Sequence, residues 1–168
     1  MNIKTLKQLN STKKGIVISI IILAIQIISF YFFEKPVNSN WQFVVYGTYI
    51  IGIIWVVASS RFQMHHVHIK SLFTEGFKAF IVVTLITTFY TFVFYKLNPQ
   101  LCEKGIIENN QLILKQGNKT PTEINENSEQ FRSIFIPMML AVNIFTYLFL
   151  GAIISLVSAG FLSKKNNS

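Results

Sequence analysis

Four apolar runs without a charged side chain divide this chain: Ile16–Phe33, Trp41–Ser60, Ala79–Tyr95 and Ile134–Leu162. A helical run of about 20 residues reaches across roughly 30 Å of hydrocarbon. Lipid offers no partner to an open backbone, so such runs must be helical. Only 13% of the 168 residues are charged, against roughly a quarter in soluble domains, and the deficit lies within the runs. The pattern predicts an all-α integral membrane protein of one domain, residues 1–168. Its four transmembrane helices are expected at about 16–33, 41–60, 77–95 and 136–162, with a helical extracytoplasmic insert between the third and fourth.

Sorting the ionisable residues by side sets the topology. With the N-terminus inside, the inner segments carry Lys4, Lys7, Lys13, Lys14, Arg61, Lys70, Lys78, Lys164 and Lys165 against Glu75 alone. The outer segments balance Lys35, Lys96, Lys104, Lys115, Lys119 and Arg132 with Glu34, Glu103, Glu108, Glu123, Glu126 and Glu129. The whole net charge of +8 therefore falls on one face. Cytoplasmic loops collect Lys and Arg, which places both termini in the cytoplasm and residues 1–15 in a basic cytoplasmic tail. In a bacterium the location is the inner, or plasma, membrane. Topology accounts for the basic residues, so no nucleic acid partner is expected; membrane lipids are. The first run is longer than the apolar region of a signal peptide, and Glu34-Lys35-Pro36-Val37 is a poor cleavage site, so it reads as a retained helix.

The outer connection, residues 96–133, is well punctuated. Asn98-Pro99 reads as an N-cap with proline at the first helical position, and Gly117 as a stop. Thr120-Pro121-Thr122-Glu123 has the form of a capping box. Helices are expected near 99–116 and 121–136, with Pro137 kinking or breaking the chain at the membrane entry. Cys102, Ile106, Ile107, Ile113 and Leu114 gather on one side of the first, as in a helix lying on a surface.

Within the runs, the amides Gln26 and Asn143 want hydrogen-bond partners, and interhelical bonds of this kind contribute about 0.6–2 kcal/mol. They either lock the bundle, to each other among the options, or mark a substrate cavity. Gly151, Ser155 and Ala159 stand four residues apart and form a groove where another helix backbone can approach. Thr48 and Gly52 on the second helix are the natural counterpart, in the same chain or in a second subunit. Thr84, Thr87, Thr88 and Thr91 share one face of the third helix, where threonine hydroxyls bond to carbonyls four residues back.

The chemistry-bearing motifs are sparse. His65, His66 and His68 lack the spacing that clamps a metal, and the lone Cys102 excludes an intrachain disulfide and a cysteine-based metal cluster. No phosphate loop, nucleophile elbow or carboxylate dyad is present, so neither enzymatic activity nor a cofactor is expected. The apolar runs hold no Asp, Glu, Lys, Arg or His, which argues against ion-coupled transport by this chain alone.

Glu75-Gly76-Phe77-Lys78-Ala79-Phe80 leads into the third helix, and Lys96–Pro99 leads out of it. With Lys115-Gln116-Gly117-Asn118-Lys119-Thr120-Pro121 and the Gly151-bearing last helix, the chain resembles a family of small Bacteroidota membrane proteins catalogued as domain of unknown function 4199. The resemblance runs from about Lys14 to Lys165 and implies a four-helix inner-membrane protein without an assigned site. The expected role is structural, accessory or interactive, with the outer insert contacting the membrane surface, the bundle, an envelope protein or another copy. The alternative is a small carrier or lipid-handling protein with a polar cavity near Gln26, Asn143 and the helix-three threonines.

Overall fold

The computed structural model describes residues 10–32, 41–64, 67–116 and 120–164, which form five helices and no strand. They are α1 (Ser11–Tyr31), α2 (Trp41–Arg61), α3 (Ile69–Leu97), α4 (Gln100–Gln116) and α5 (Pro121–Lys164). α1, α2, α3 and α5 are each long and apolar enough to cross a membrane.

Helix boundaries depart from the apolar runs for identifiable reasons. α1 starts five residues before the first run, with Asn10 as its N-cap accepting from Thr12 N at 3.4 Å. Its buried face mixes Ser11, Lys14, Gly15, Ile18, Ser19 and Ile22, and a hydropathy count misses the first half of that stripe. Residues 10–15 are thus a cap and helix rather than a tail. α3 is already helical at Ile69, well before the expected start near 77.

The expected break in the last segment does not occur. α5 is a single 44-residue helix with Pro137 inside it. An interior proline costs about 3 kcal/mol, and aromatic rings pack within two to six residues of it on the same helix. Phe135 is buried, its ring centroid 5.2 Å from that of Tyr95 and 5.7 Å from that of Phe131. At 1.5 Å per residue α5 is roughly 66 Å long, about twice the hydrocarbon thickness.

Packing divides the chain into two compact units. One holds the residues up to Thr87 with those from Ile144 onward; the other holds Thr88–Asn143. The core of the first joins Ile18 and Ile22 of α1, Val45, Tyr49, Ile53 and Val56 of α2, Ala79, Phe80 and Val83 of α3, and Tyr147 of α5. Tyr49 Oη donates to the Tyr147 carbonyl at 2.7 Å, and their rings meet edge to face. Large apolar side chains such as Ile20, Leu85 and Phe145 point outward, each at least 60% exposed. That outward face suits hydrocarbon as the surrounding solvent.

In the second unit α4 runs antiparallel to the first half of α5. Asn110 and Ser128 exchange hydrogen bonds at 2.9 and 3.2 Å, Gly105 faces Phe131, and Arg132 reaches Glu103. This pairing corrects the expectation that the α4 apolar residues form one surface-lying stripe. Ile106 is buried, while Ile107 and Leu114 are exposed. The α5 start is the expected capping box: Thr120 N donates to Glu123 Oε2 at 2.7 Å, and Glu123 N to Thr120 Oγ1 at 3.4 Å.

Candidate functional site

Lys14 is the most unusual residue of the first unit, because it is fully buried yet carries an ammonium group. A buried charge is costly unless it is hydrogen-bonded and paired. Helix periodicity puts it on the Ser11–Ile18–Ile22 face of α1, toward α2 and α3. Its Nζ donates to Ser59 Oγ at 2.7 Å and lies 5.8 Å from the centroid of the Trp55 ring, within cation–π range. Ser59 Oγ donates its own proton to Val56 O at 3.0 Å, which leaves its lone pairs to the ammonium.

Beside it lies Glu75, the only carboxylate among the described residues of this unit. Glu75 Oε2 accepts from Ser11 Oγ at 2.6 Å, and Oε1 from Lys78 Nζ at 2.7 Å. Ser11 Oγ is also 3.4 Å from Ser60 Oγ. Three helices therefore meet in one polar cluster, in which Glu75 binds Lys78 and Ser11 while Lys14 is held by Ser59 and faces Trp55. Lys14 and Glu75 lie about 5 and 9 Å from the starts of α1 and α3 by helical rise, near one end of the bundle. The apolar runs hold no Asp, Glu, Lys, Arg or His, but the helices do. The case against ion-coupled chemistry drawn from the runs does not extend to the folded bundle.

The small residues of α5 lie against α3 and α2. Ser155 sits so near Gly76 that a Cβ there would be 2.8 Å from Ser155 Cβ. A Cβ on Gly151 would collide with Tyr49 Oη and come within 2.6 Å of Phe80 Cγ. Ala159 is buried with Val57 and Leu72. Gly52 instead faces Ile18 of α1, its would-be Cβ 2.9 Å from Ile18 Cγ1, and Thr48 Oγ1 donates to its own helix at Val44 O. Gly76 and Phe80, not Thr48 and Gly52, receive the α5 groove.

The two intramembrane amides have different fates. Asn143 Nδ2 donates to Thr88 Oγ1 at 3.0 Å within the second unit. Gln26 Oε1 is buried without a hydrogen-bond partner, as are Tyr147 Oη and Ser155 Oγ. Gln26 and Asn143 therefore do not lock together through that oxygen. Thr84 and Thr87 back-bond to Phe80 O and Val83 O at 2.8 and 2.9 Å. His68 is exposed; His65 and His66 lie outside the described residues, as does the expected stop at Gly117. No group of three or more potential metal ligands occurs among the described residues.

The α4–α5 pair has its own electrostatics. Arg132 binds Glu103 through two nitrogens at 2.8 and 2.9 Å and Glu129 at 2.6 Å. The hydrogen bonds from Arg132 hold the Glu103 carboxyl below the usual carboxylate range. Burial pushes the neighbouring Cys102 thiol up, and the Glu103 charge adds to the shift.

The sequence reading missed Lys14, Ser59 and Glu75. The readable signal was Ser11, Lys14 and Gly15 continuing the Ile18–Ile22 helical stripe, and Glu75 standing alone among inner cations. A family model described as a protein of unknown function (DUF4199) matches residues 13–164. No curated protein and no solved structure matches the chain.

Proposed function

The chain belongs to the DUF4199 family, and from this membership and its own geometry we propose a non-enzymatic membrane protein with an accessory or interaction role. The α4–α5 pair is its presenting element, extracytoplasmic in an inner membrane with both termini in the cytoplasm. One observation carries the reading. Arg132 clamps Glu103 of α4 to Glu129 of α5, while Asn125, Glu126 and Gln130 of α5 stay exposed. A polar helix pair held in a defined shape offers a specific surface to a protein partner.

Photocrosslinkers at Glu126 and Gln130 should capture one and the same protein in native membranes, and Arg132→Gln should weaken that capture. A crosslinker at lipid-facing Leu85 should not capture it. Equal capture from Leu85, or capture indifferent to Arg132→Gln, overturns the reading. A carrier reading keeps one observation in its favour, the buried, unpartnered Gln26 Oε1 and Tyr147 Oη. It predicts that Gln26→Leu abolishes transfer of a polar solute while the bundle stays folded.

A further inference from the structure

We propose that the Lys14–Glu75–Lys78 cluster forms the back wall of a binding site for an anionic phospholipid headgroup, with Lys78 as the residue that meets the phosphate. The first argument is charge. The described residues of the first unit include Lys13, Lys14, Arg61, Lys70, Lys78 and Lys164 against the single carboxylate Glu75. Glu75 spends one oxygen on Lys78 and the other on Ser11, while Lys14 has only a neutral hydroxyl and an aromatic face. The cluster therefore keeps one excess positive charge, half-walled by protein, where a positive potential is screened less than on an open surface.

The second argument is access. Lys14 is sealed in, but the Lys78 side chain is 47% exposed and that of Glu75 20%. The mouth of the cluster is thus on the outer side of α3. Lys78 directly precedes the apolar run Ala79–Tyr95, and a lysine at such a boundary extends its ammonium to headgroup level while its methylenes stay in lipid.

The third argument is continuity with the lipid-facing surface. Phe77 and Leu85 are exposed on α3, with Ile81 half-buried one turn beyond Lys78. These positions lie at helical spacing along one stripe, so an acyl chain along Ile81 and Leu85 puts its phosphate beside Lys78. Sequence position alone would give Lys70 the same role. Lys70 is exposed, but Glu75 binds Lys78, and Lys78 thereby joins the surface to the buried cluster.

The test uses the full chain in nanodiscs of phosphatidylcholine with a minority of phosphatidylglycerol, reading by native mass spectrometry which lipids stay bound. Wild type should retain phosphatidylglycerol in preference. Lys78→Gln should cut that preference about fivefold, the factor for one cation near an anionic leaflet. Lys78→Arg should keep it. Glu75→Gln should raise the preference by a similar factor, since it removes the one repelling charge; a merely structural role for Glu75 predicts no gain. If Glu75→Gln fails to fold, the Lys78→Gln and Lys78→Arg pair decides alone. Equal losses in Lys70→Gln and Lys78→Gln would mean a diffuse basic surface and overturn the site. So would stabilisation of the protein by inorganic phosphate in pure phosphatidylcholine discs, which would assign a free anion instead of a lipid.

Discussion

Gly76→Ala isolates one close approach in the bundle, where α3 meets α5. A methyl carbon at Gly76 would sit 2.5 Å from Ser155 Oγ, 2.8 Å from Ser155 Cβ and 3.0 Å from Val57 Cγ2. The hydroxyl can rotate away, but Ser155 Cβ is fixed to the α5 backbone, so the helices must separate. Overpacking of this kind costs about 1–3 kcal/mol. The alanine itself returns up to about 1 kcal/mol of helix propensity, so the net change should be a loss of about 0–2 kcal/mol. Gly47→Ala is the matched control, because a Cβ at Gly47 meets nothing within 4 Å. It should gain stability by the propensity term alone. The gap between the two substitutions, about 1–3 kcal/mol, is the packing energy of the crossing. Unfolding in mixed micelles with increasing sodium dodecyl sulfate, followed by far-ultraviolet circular dichroism, measures it. Ser155→Gly in the Gly76→Ala background removes the opposing Cβ and should recover most of the gap beyond its own cost, read as a double-mutant cycle. If Gly76→Ala is as stable as Gly47→Ala, or the cycle shows no coupling, the close crossing is not a packing constraint and the reasoning fails.

Three further outcomes follow from the polar groups. Ser59→Ala leaves the buried Lys14 ammonium without its hydroxyl acceptor and should destabilise the bundle by about 1–3 kcal/mol. Lys14→Met removes the charge at similar volume and should be near neutral or stabilising in the same micelle titration; two equal losses would mean that side-chain volume rather than charge governs the position. In the second unit, Arg132 lowers the Glu103 acid range, so their pairing is fully present above the ordinary glutamate value of about 4.3 and fades as pH falls through the lowered one. Amide exchange in α4 should accelerate on that acidification, and Glu103→Gln should abolish the pH dependence; an unchanged profile in the variant would remove Glu103 as the group responsible. For orientation, an impermeant thiol reagent should reach Cys102 in intact cells while a cysteine placed at Ser168 stays protected. The reverse labelling would invert the topology.

Hydropathy made the four long helices legible because hydrocarbon admits so few backbone solutions. Local chemistry made the α5 start legible, since Thr120 and Glu123 need only each other. What escaped was whatever depends on which helix faces which. Gly52 and the Gly151–Ser155–Ala159 stripe carry matching spacings, yet spacing identifies a surface that can be approached and not the helix that approaches it. Gly52 received Ile18, and Ser155 received Gly76. The same limit hid the polar cluster: Lys14 lies beside the first apolar run and Glu75 just before the third, 61 positions apart in sequence. Each taken alone is an ordinary flanking charge of the kind that sets topology. Only the crossing of α1 with α2 and α3 seals Lys14 against Ser59 and Trp55 and brings Ser11 to Glu75. A residue that counts toward orientation in the sequence thereby becomes a buried charge in the fold. Such a charge must be balanced from within or from the lipid, and with one carboxylate between two cations the protein supplies only part of that balance.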